Sequence, residues 1–330
     1  MRLLLFVALA FVICGLVNML GLSAYTGSIL IFASINILLC LGFYVIFGLT
    51  GILSLAHAAF MAIGAYTSGI LSSTYGWPIP ASIMAGTGAA ALAGALLGIP
   101  TLRLKSHYLV LVTIAFGEVL RQMLINFEGL TGGLTGLALP MPSPVTWLGV
   151  TINPGNRTVF LLICLLSIAV VVFALDRLRQ SRVGHSFEAV RDDDLAASVI
   201  GIDLTYTKIL AFVISAALAG YGGALSAHFV GFISPDYFTF DITVLVLAMV
   251  VIGGKRSIIG VIIGALLLTF LPEALRSLQD WYPTFYGVLL LLTLWLAPYG
   301  IVGRLGQIAF FRKLIAPRAA VVDPVEAAQP

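Results

Sequence analysis

The stretch that decides the fold is residues 29–47, ILIFASINILLCLGFYVIF, which contains no charged side chain. Its length approaches the roughly 20 apolar residues that cross about 30 Å of hydrocarbon. Residues 3–20 and 161–175 are similar. Of the whole chain, 60% is hydrophobic and 9% is charged, whereas soluble domains carry about 25% charged residues. The sequence therefore predicts a protein surrounded by lipid.

Polar or Gly/Pro-rich breaks divide the chain into about ten predicted membrane helices of an all-α, polytopic bundle. They cover residues 3–20, 29–48, 54–72, 79–100, 107–127, 157–175, 207–230, 240–254, 258–275 and 283–301. The first follows Arg2 and could be mistaken for a secretory signal. It is longer than a signal's apolar region, and no small-residue cleavage site follows it at 21–28. We therefore predict that it is the first span.

The placement of Lys and Arg predicts the orientation, because positively charged loops stay in the cytoplasm. With the N-terminus inside, only Arg121, Arg157 and Arg276 lie outside the cytoplasmic segments, which leaves 14 of the 17 basic residues within them. We predict that both termini are cytoplasmic. The membrane domain would cover 1–303, with a periplasmic loop at 128–156 and a cytoplasmic loop at 176–206. The tail, 304–330, is predicted to be cytoplasmic and partly disordered.

The cytoplasmic loop contains RVGHSFEAVRDDDLAASVIGID, residues 182–203. Ser186 is predicted to cap a first short helix, Asp192 to Asp194 suit the first turn of a second, and Gly201 can end it. Such helices would present an apolar face formed by Phe187, Val190, Leu195 and Val199. A solvated connector is the alternative, but the caps, the apolar face and the dense charge favour a docking element.

Two features inside predicted spans are candidates for a transport pathway. Glu118 and Arg121 are three residues apart on one helix and so share a face. His57 lies beside Ser54 near the inner end of another helix. A structural ion pair and a packing histidine are the respective alternatives.

Several chemistries have no support in the sequence. Cys14, Cys40 and Cys164 lie in apolar runs without metal-ligand or disulfide spacing. The stretch GGKRS at 253–257 departs from a phosphate loop, which needs Gly at 249 and Ser or Thr at 256, where Met249 and Arg256 stand. We expect no catalytic residues, cofactor, metal or nucleic acid, and any energy from ATP has to come from a partner.

Small residues at helical spacing, such as Gly260 with Gly264, indicate close helix packing.

Four blocks of sequence resemble a known family. They are GLTGILSLAHAAF at 48–60, RDDDLAA at 191–197, AFVIS at 211–215 and IGG at 252–254 with LPE at 271–273. In this order and spacing they resemble the LivM-type permeases of branched-chain amino acid ABC importers, in the LivM/LivH family. The similarity runs from about residue 30 to 300.

The resemblance implies one half of a translocation pathway for leucine, isoleucine and valine in the bacterial inner membrane. Its partners would be a LivH-like permease subunit in a heterodimer, two ATP-binding cassette subunits and a periplasmic substrate-binding protein. Coupling to the ATPase would involve Glu188, Arg191, Asp192, Asp193, Ala196, Ala197 and Gly201. The pathway or gate would involve Ser54, His57, Glu118, Arg121, Thr131, Gly132 and Gly133.

Other functions remain open at this stage. Permeases for urea or short-chain amides share the same signature, and the chain departs from the usual pattern at TGGLTG, 131–136, and at Lys255-Arg256. A proton- or sodium-coupled transporter would have to use Glu118, which has an Arg neighbour. An intramembrane enzyme would lack a nucleophile with its base.

Overall fold

The computed structural model describes residues 24–101, 106–140, 145–147, 150–152, 155–274 and 287–288. The predicted span 3–20, nearly all of the span 283–301 and the tail 304–330 lie outside this part of the chain. The eight predicted spans between them each coincide with a long helix.

The elements follow one another in the order of an up-and-down bundle. The helices are α1 Ala24–Phe43, α2 His57–Ser73, α3 Ile79–Thr101, α4 Ser106–Asn126, α5 Glu128–Thr131, α6 Arg157–Arg179, α7 Arg182–Asp192, α8 Asp194–Val199, α9 Leu204–Val230, α10 Phe240–Gly253 and α11 Ile258–Ala274. A π-helical turn, Tyr44–Leu49, extends α1, and 3-10 turns form at Gly133–Thr135 and Pro235–Tyr237.

The strands are short, and all of them lie in connections between the long helices. They are β1 Leu137–Ala138, β2 Val145–Trp147, β3 Val150–Ile152 and β4 Phe232–Ile233. β1 pairs antiparallel with β4, with Leu137 opposite Ile233. β2 and β3 form an antiparallel hairpin in the register of Thr146 opposite Thr151. The connections at 128–156 and 231–239 therefore contain local structure that the sequence did not predict, because strands of two or three residues give no periodic signal.

Six helical segments in the described part of the chain are long and apolar enough to cross a membrane. They are Tyr25–Leu49, Ile79–Pro100, Tyr108–Asn126, Arg157–Arg179, Leu204–Val230 and Pro235–Gly253. A seventh apolar helix, Ile258–Glu273, is shorter. The protein is therefore a multi-pass, all-α membrane protein.

The centre of the bundle is built on small residues. α9 packs against α3, α2 and α1, while α10 packs against α11. A Cβ atom added to Gly64 of α2 would overlap the backbone of Gly220 in α9, and one on Gly264 would overlap the Met249 carbonyl of α10. Close approach of this kind replaces the hydrophobic effect as the source of cohesion between helices in lipid. The predicted packing role of the small residues is confirmed.

The two ends of the bundle differ in content. We call the end that holds α7 and α8 the short-helix end; it also holds the π-helical turn and the turn between α10 and α11. The opposite end, which we call the hairpin end, holds α5, the four strands and the start of α10.

Candidate coupling surface and membrane pathway

α7 begins at a serine cap. The Ser181 hydroxyl accepts a hydrogen bond from the Gly184 N–H at 3.3 Å. The predicted cap, Ser186, is wrong: its hydroxyl lies inside the helix and donates to the Arg182 carbonyl at 3.0 Å. Both serines suit a cap by residue type, but Ser181 has the extended backbone that a cap requires.

α8 is capped as its acidic run predicts. One carboxylate oxygen of Asp193 accepts hydrogen bonds from the N–H groups of Leu195 at 2.8 Å and Ala196 at 3.0 Å. Gly201 follows the helix with a φ of +88°, in the left-handed region that favours glycine. Lys208 of α9 donates to Asp194 at 2.5 Å and so ties the start of α8 to the next membrane helix.

The apolar residues of these two helices differ in exposure. Phe187 and Val190 of α7 are 0% and 4% exposed, because α7 packs on α6, α9 and the π-helical turn. Leu195 and Val199 of α8 and the adjoining Ile200 are 75%, 81% and 74% exposed. We call these last three residues the α8 apolar patch. The predicted single apolar face is wrong, since only its α8 half is free in this chain.

The candidate coupling residues also divide into exposed and buried side chains. Ala196 is exposed, whereas Ala197 is 2% exposed and so cannot form part of a docking surface in this fold. Glu188 is partly buried and accepts a hydrogen bond from Arg179 Nε at 3.3 Å. This pair links α7 to the end of α6.

Arg191 turns toward the membrane helices. Its Nη1 donates to the Gly48 carbonyl of the π-helical turn at 3.3 Å, and its Nε donates to Asp192 at 3.1 Å. The Arg191 side chain is 19% exposed, while that of Asp192 is 67% exposed. Asp192 therefore faces outward, and Arg191 connects α7 to the bundle.

Glu118 and Arg121 are in contact, but near the hairpin end and on an open face. Arg121 Nη2 lies 3.4 Å from Glu118 Oε1, and Arg121 Nη1 lies 3.4 Å from Asp236 Oδ1. Gln122 also donates to Glu118 at 3.0 Å. The Glu118 side chain is 55% exposed in this chain. Asp236 is a third member of the group that the sequence did not predict, because 115 residues separate it from Arg121.

α4 is packed on one side only. It lies mainly against α2, and its other side is open along the helix. Exposed residues recur every three or four positions along one stripe: Tyr108, Leu111, Ala115, Glu118, Gln122 and Asn126, with exposed Val119 and Met123 beside it. We call this the α4 stripe. The polar side chains of Glu118, Gln122 and Asn126 distinguish it from the purely apolar exposed residues of α3, such as Met84 and Leu92.

The start of α2 is buried inside the bundle. The N–H of Ala58 donates to the Thr243 hydroxyl of α10, and the N–H of Leu55 donates to the Thr113 hydroxyl of α4, both at 3.0 Å. These neighbouring helices thus supply the cap that the α2 sequence lacks. His57 Nε2 lies 2.9 Å from the Leu39 carbonyl, and its ring meets Phe43 edge-on at 5.5 Å.

Ser54 differs from its neighbours in this segment. It is 3% exposed, and its hydroxyl has no hydrogen-bond partner among the described residues. His57, in contrast, makes the contacts of a packing histidine.

Thr131, Gly132 and Gly133 build a turn at the hairpin end. The buried Thr131 hydroxyl contacts the Leu124 carbonyl at 2.6 Å and the Phe127 carbonyl at 2.9 Å, and it accepts from the Gly133 N–H at 3.2 Å. Gly132 has a φ of +75° and ends α5. These contacts fix the connection after α4. The pathway candidates therefore fall into two groups, one at the hairpin end and one, Ser54 and His57, inside the bundle.

The helices and their exposed surfaces define the class of the protein: a polytopic membrane protein with short helices at one end. Residues 25–297 match the family described as "Branched-chain amino acid transport system / permease component". The chain belongs to this family. The predicted resemblance is thereby confirmed, as is the prediction of a transporter membrane subunit.

Relatives agree with the family match. The chain is 37% identical over 287 residues to the high-affinity branched-chain amino acid transport system permease protein LivM of Salmonella typhimurium, covering 81% of this chain and 68% of the relative. The LivM protein of Escherichia coli gives the same values. The LivH permease protein of Escherichia coli is 29% identical over 290 residues, covering 81% of this chain and 91% of the relative. No solved structure matches the chain.

Proposed function

We propose that the chain is the LivM-type permease subunit of an ABC importer for branched-chain amino acids, with ATP hydrolysed by partner chains. The α8 apolar patch carries the proposal. Monomeric surfaces rarely keep contiguous apolar area without a partner. Here Leu195, Val199 and Ile200 are exposed beside acidic side chains on a rigid, capped helix.

The distribution of charge supports a cytoplasmic position for this patch. Two basic residues in the described part of the chain, Arg121 and Arg157, lie at the hairpin end. The short-helix end holds Arg177, Arg179, Arg182, Arg191, Lys208, Lys255 and Arg256. Because basic segments stay in the cytoplasm, ATP-binding cassette subunits would meet the short-helix end. Ten spans with both termini inside would complete the domain 1–303, followed by the tail 304–330.

Orientation can be tested by labelling. We expect a single cysteine at Arg182 to react only with a reagent applied from the cytoplasm, and one at Asp236 to react only from outside. Labelling of position 236 from the cytoplasm would invert the topology and remove the α8 apolar patch from the reach of ATPase subunits.

The α4 stripe is the surface that we assign to a second permease subunit and the pathway. A charged side chain in contact with the hydrocarbon of a bilayer is costly. Glu118 and Gln122 therefore favour contact with protein or water over contact with lipid. A LivH-like subunit facing α4 would enclose this stripe, and a periplasmic binding protein would deliver substrate to the hairpin end. This arrangement belongs in a bacterial inner membrane.

Transport by the reconstituted assembly tests the function. Proteoliposomes would contain this chain, a LivH-like subunit, two cassette subunits and the binding protein, and uptake of labelled leucine, isoleucine, valine and urea would be compared. We expect ATP-dependent uptake of the three amino acids and no uptake of urea. Uptake of urea alone would assign the assembly to the urea and amide group, and uptake without ATP would indicate a secondary transporter.

A further inference from the structure

Arg191 joins the short helices to the end of α1 by two different contacts. Its guanidinium donates to the Gly48 carbonyl at 3.3 Å. Its aliphatic part lies against Gly51, where an added Cβ atom would be only 2.9 Å from Arg191 Cγ. Gly51 also has a φ of +70°, which favours glycine. A displacement of α7 therefore acts directly on residues 48–51.

The contact is closely packed at Gly48 on the membrane side. A Cβ atom on Gly48 would overlap the Lys255 carbonyl in the turn between α10 and α11, and it would also press on the Tyr44 ring. The Lys255 ammonium lies over the Phe47 ring, 5.1 Å from its centroid. Gly48 is thus the point at which three elements are closely packed: α7, the π-helical turn and the α10–α11 turn. Contacts between tightly packed elements transmit displacement, because such interiors have low compressibility.

Residues 50–56 connect this meeting point to the start of α2 without regular structure. Irregular backbone at the membrane is stable where protein buries it or where it lines a cavity. Here the buried Ser54 hydroxyl has no partner among the described residues, while the N–H groups of Leu55 and Ala58, before and within the first turn of α2, donate to Thr113 and Thr243 of neighbouring helices. The segment 48–57 is therefore suited to a change of conformation.

On the basis of the proposed function, we infer that Arg191 is a positioning residue that transmits movement of α7 and α8 to segment 48–57, which forms the inner gate. Arg191 is thereby distinguished from the α8 apolar patch, which contacts the partner. Asp192 holds Nε at 3.1 Å and so fixes the plane of the guanidinium while Nη1 reaches Gly48. Lysine has one nitrogen and cannot make both contacts in this fixed geometry.

The experiment follows the gate in the complete importer. Leu53 would be replaced by cysteine in a background without Cys14, Cys40 and Cys164, and maleimide labelling would be measured in the nucleotide-free and the ATP–vanadate-trapped complex. The variants are Arg191→Gln and Arg191→Lys. Arg182→Gln is the matched control, since it lies on the same helix and is exposed. ATP hydrolysis, uptake of labelled leucine, cassette content and thermal midpoint would be measured on each complex.

We expect Arg191→Gln to keep the cassette subunits and the basal ATP hydrolysis of the control, with a lower thermal midpoint because the contact with the Gly48 carbonyl is lost. The ATP-dependent change in labelling at position 53 should disappear, and leucine taken up per ATP should fall about tenfold, within the usual range of coupling between sites. Arg191→Lys should restore part of both quantities, because it keeps a charged donor for the Gly48 carbonyl.

Two results would overturn the inference. If Arg191→Gln retains the ATP-dependent labelling change, Arg191 does not drive the segment. If it loses the cassette subunits, Arg191 belongs to the docking surface itself. Failure of the proposed function would look different, because then the unsubstituted complex would neither respond to ATP at position 53 nor take up leucine.

Discussion

α7 and α8 are consecutive short helices, separated only by Asp193, yet they use their apolar side chains in opposite ways. α7 buries Phe187 and Val190 against the bundle, whereas α8 exposes Leu195 and Val199. The first helix is therefore attached to its own chain, and the second offers its apolar side chains to another. α7 is thus the attached helix and α8 the exposed one. This arrangement allows a movement of a partner bound to α8 to reach the membrane helices through α7.

The largest expected effect concerns the buried helix. Phe187→Ala should destabilise the purified chain by about 3–5 kcal/mol, because it leaves a cavity under α7. Leu195→Ala is the matched control and should change stability by less than about 0.5 kcal/mol, since the side chain is exposed. Denaturation of both variants in detergent measures the difference. Equal losses would mean that α8 is as firmly packed as α7.

The alanine pair in α8 sharpens the comparison within a single helix. Ala197→Arg should destabilise the chain by about 1–3 kcal/mol through overpacking, because Ala197 is buried. Ala196→Arg should leave stability unchanged and instead reduce ATP hydrolysis stimulated by loaded binding protein. Thermal midpoints and ATPase rates separate the two effects, and a stable, uncoupled Ala197→Arg complex would show that Ala197 is accessible.

The cap of α8 should make a smaller contribution. Asp193→Ala removes the acceptor for the N–H groups of Leu195 and Ala196, at an expected cost of about 1 kcal/mol. Asp193→Asn should retain most of the stability, because asparagine caps equally well. If both substitutions are neutral by thermal denaturation, the α8 apolar patch is not held by this cap.

The smallest effect is expected in the ion pair on the α4 stripe. Glu118 and Arg121 are 3.4 Å apart and partly exposed, so their coupling in the isolated chain should be about 0.2–1 kcal/mol. A double-mutant cycle of Glu118→Gln and Arg121→Gln, read by thermal denaturation, measures it. Coupling well above this range would mean that the pair is buried, contrary to its exposure on α4.

The sequence predicted the long helices because apolar length is a strong and local signal. The acidic cap of α8 and the terminating Gly201 were also predictable, since a helix start and end depend on nearby residues. The choice of Ser181 over Ser186 was not, because either serine can cap and the start of α7 depends on how α6 ends.

The sequence alone does not show which side chains of the functional surfaces are exposed. Ala196 and Ala197 are identical residues, and only the packing of α8 on α7 and α9 decides which one is buried. Similarly, the sequence pairs Glu118 with Arg121 by spacing, but Asp236 joins them only through the fold. Helical periodicity shows which residues share a face, and tertiary contacts decide what that face meets.

Cross-linking from α8 tests the central claim, that the α8 apolar patch is the seat of an ATPase subunit, most directly. A cysteine at Val199 and a cysteine at Leu96, an exposed apolar residue of α3, would each carry a short photoactivatable cross-linker in the complete importer. We expect Val199→Cys to be joined to the cassette subunit and Leu96→Cys to give no such product. A complex that is active and fully assembled, yet yields no cassette cross-link from position 199, would contradict the account.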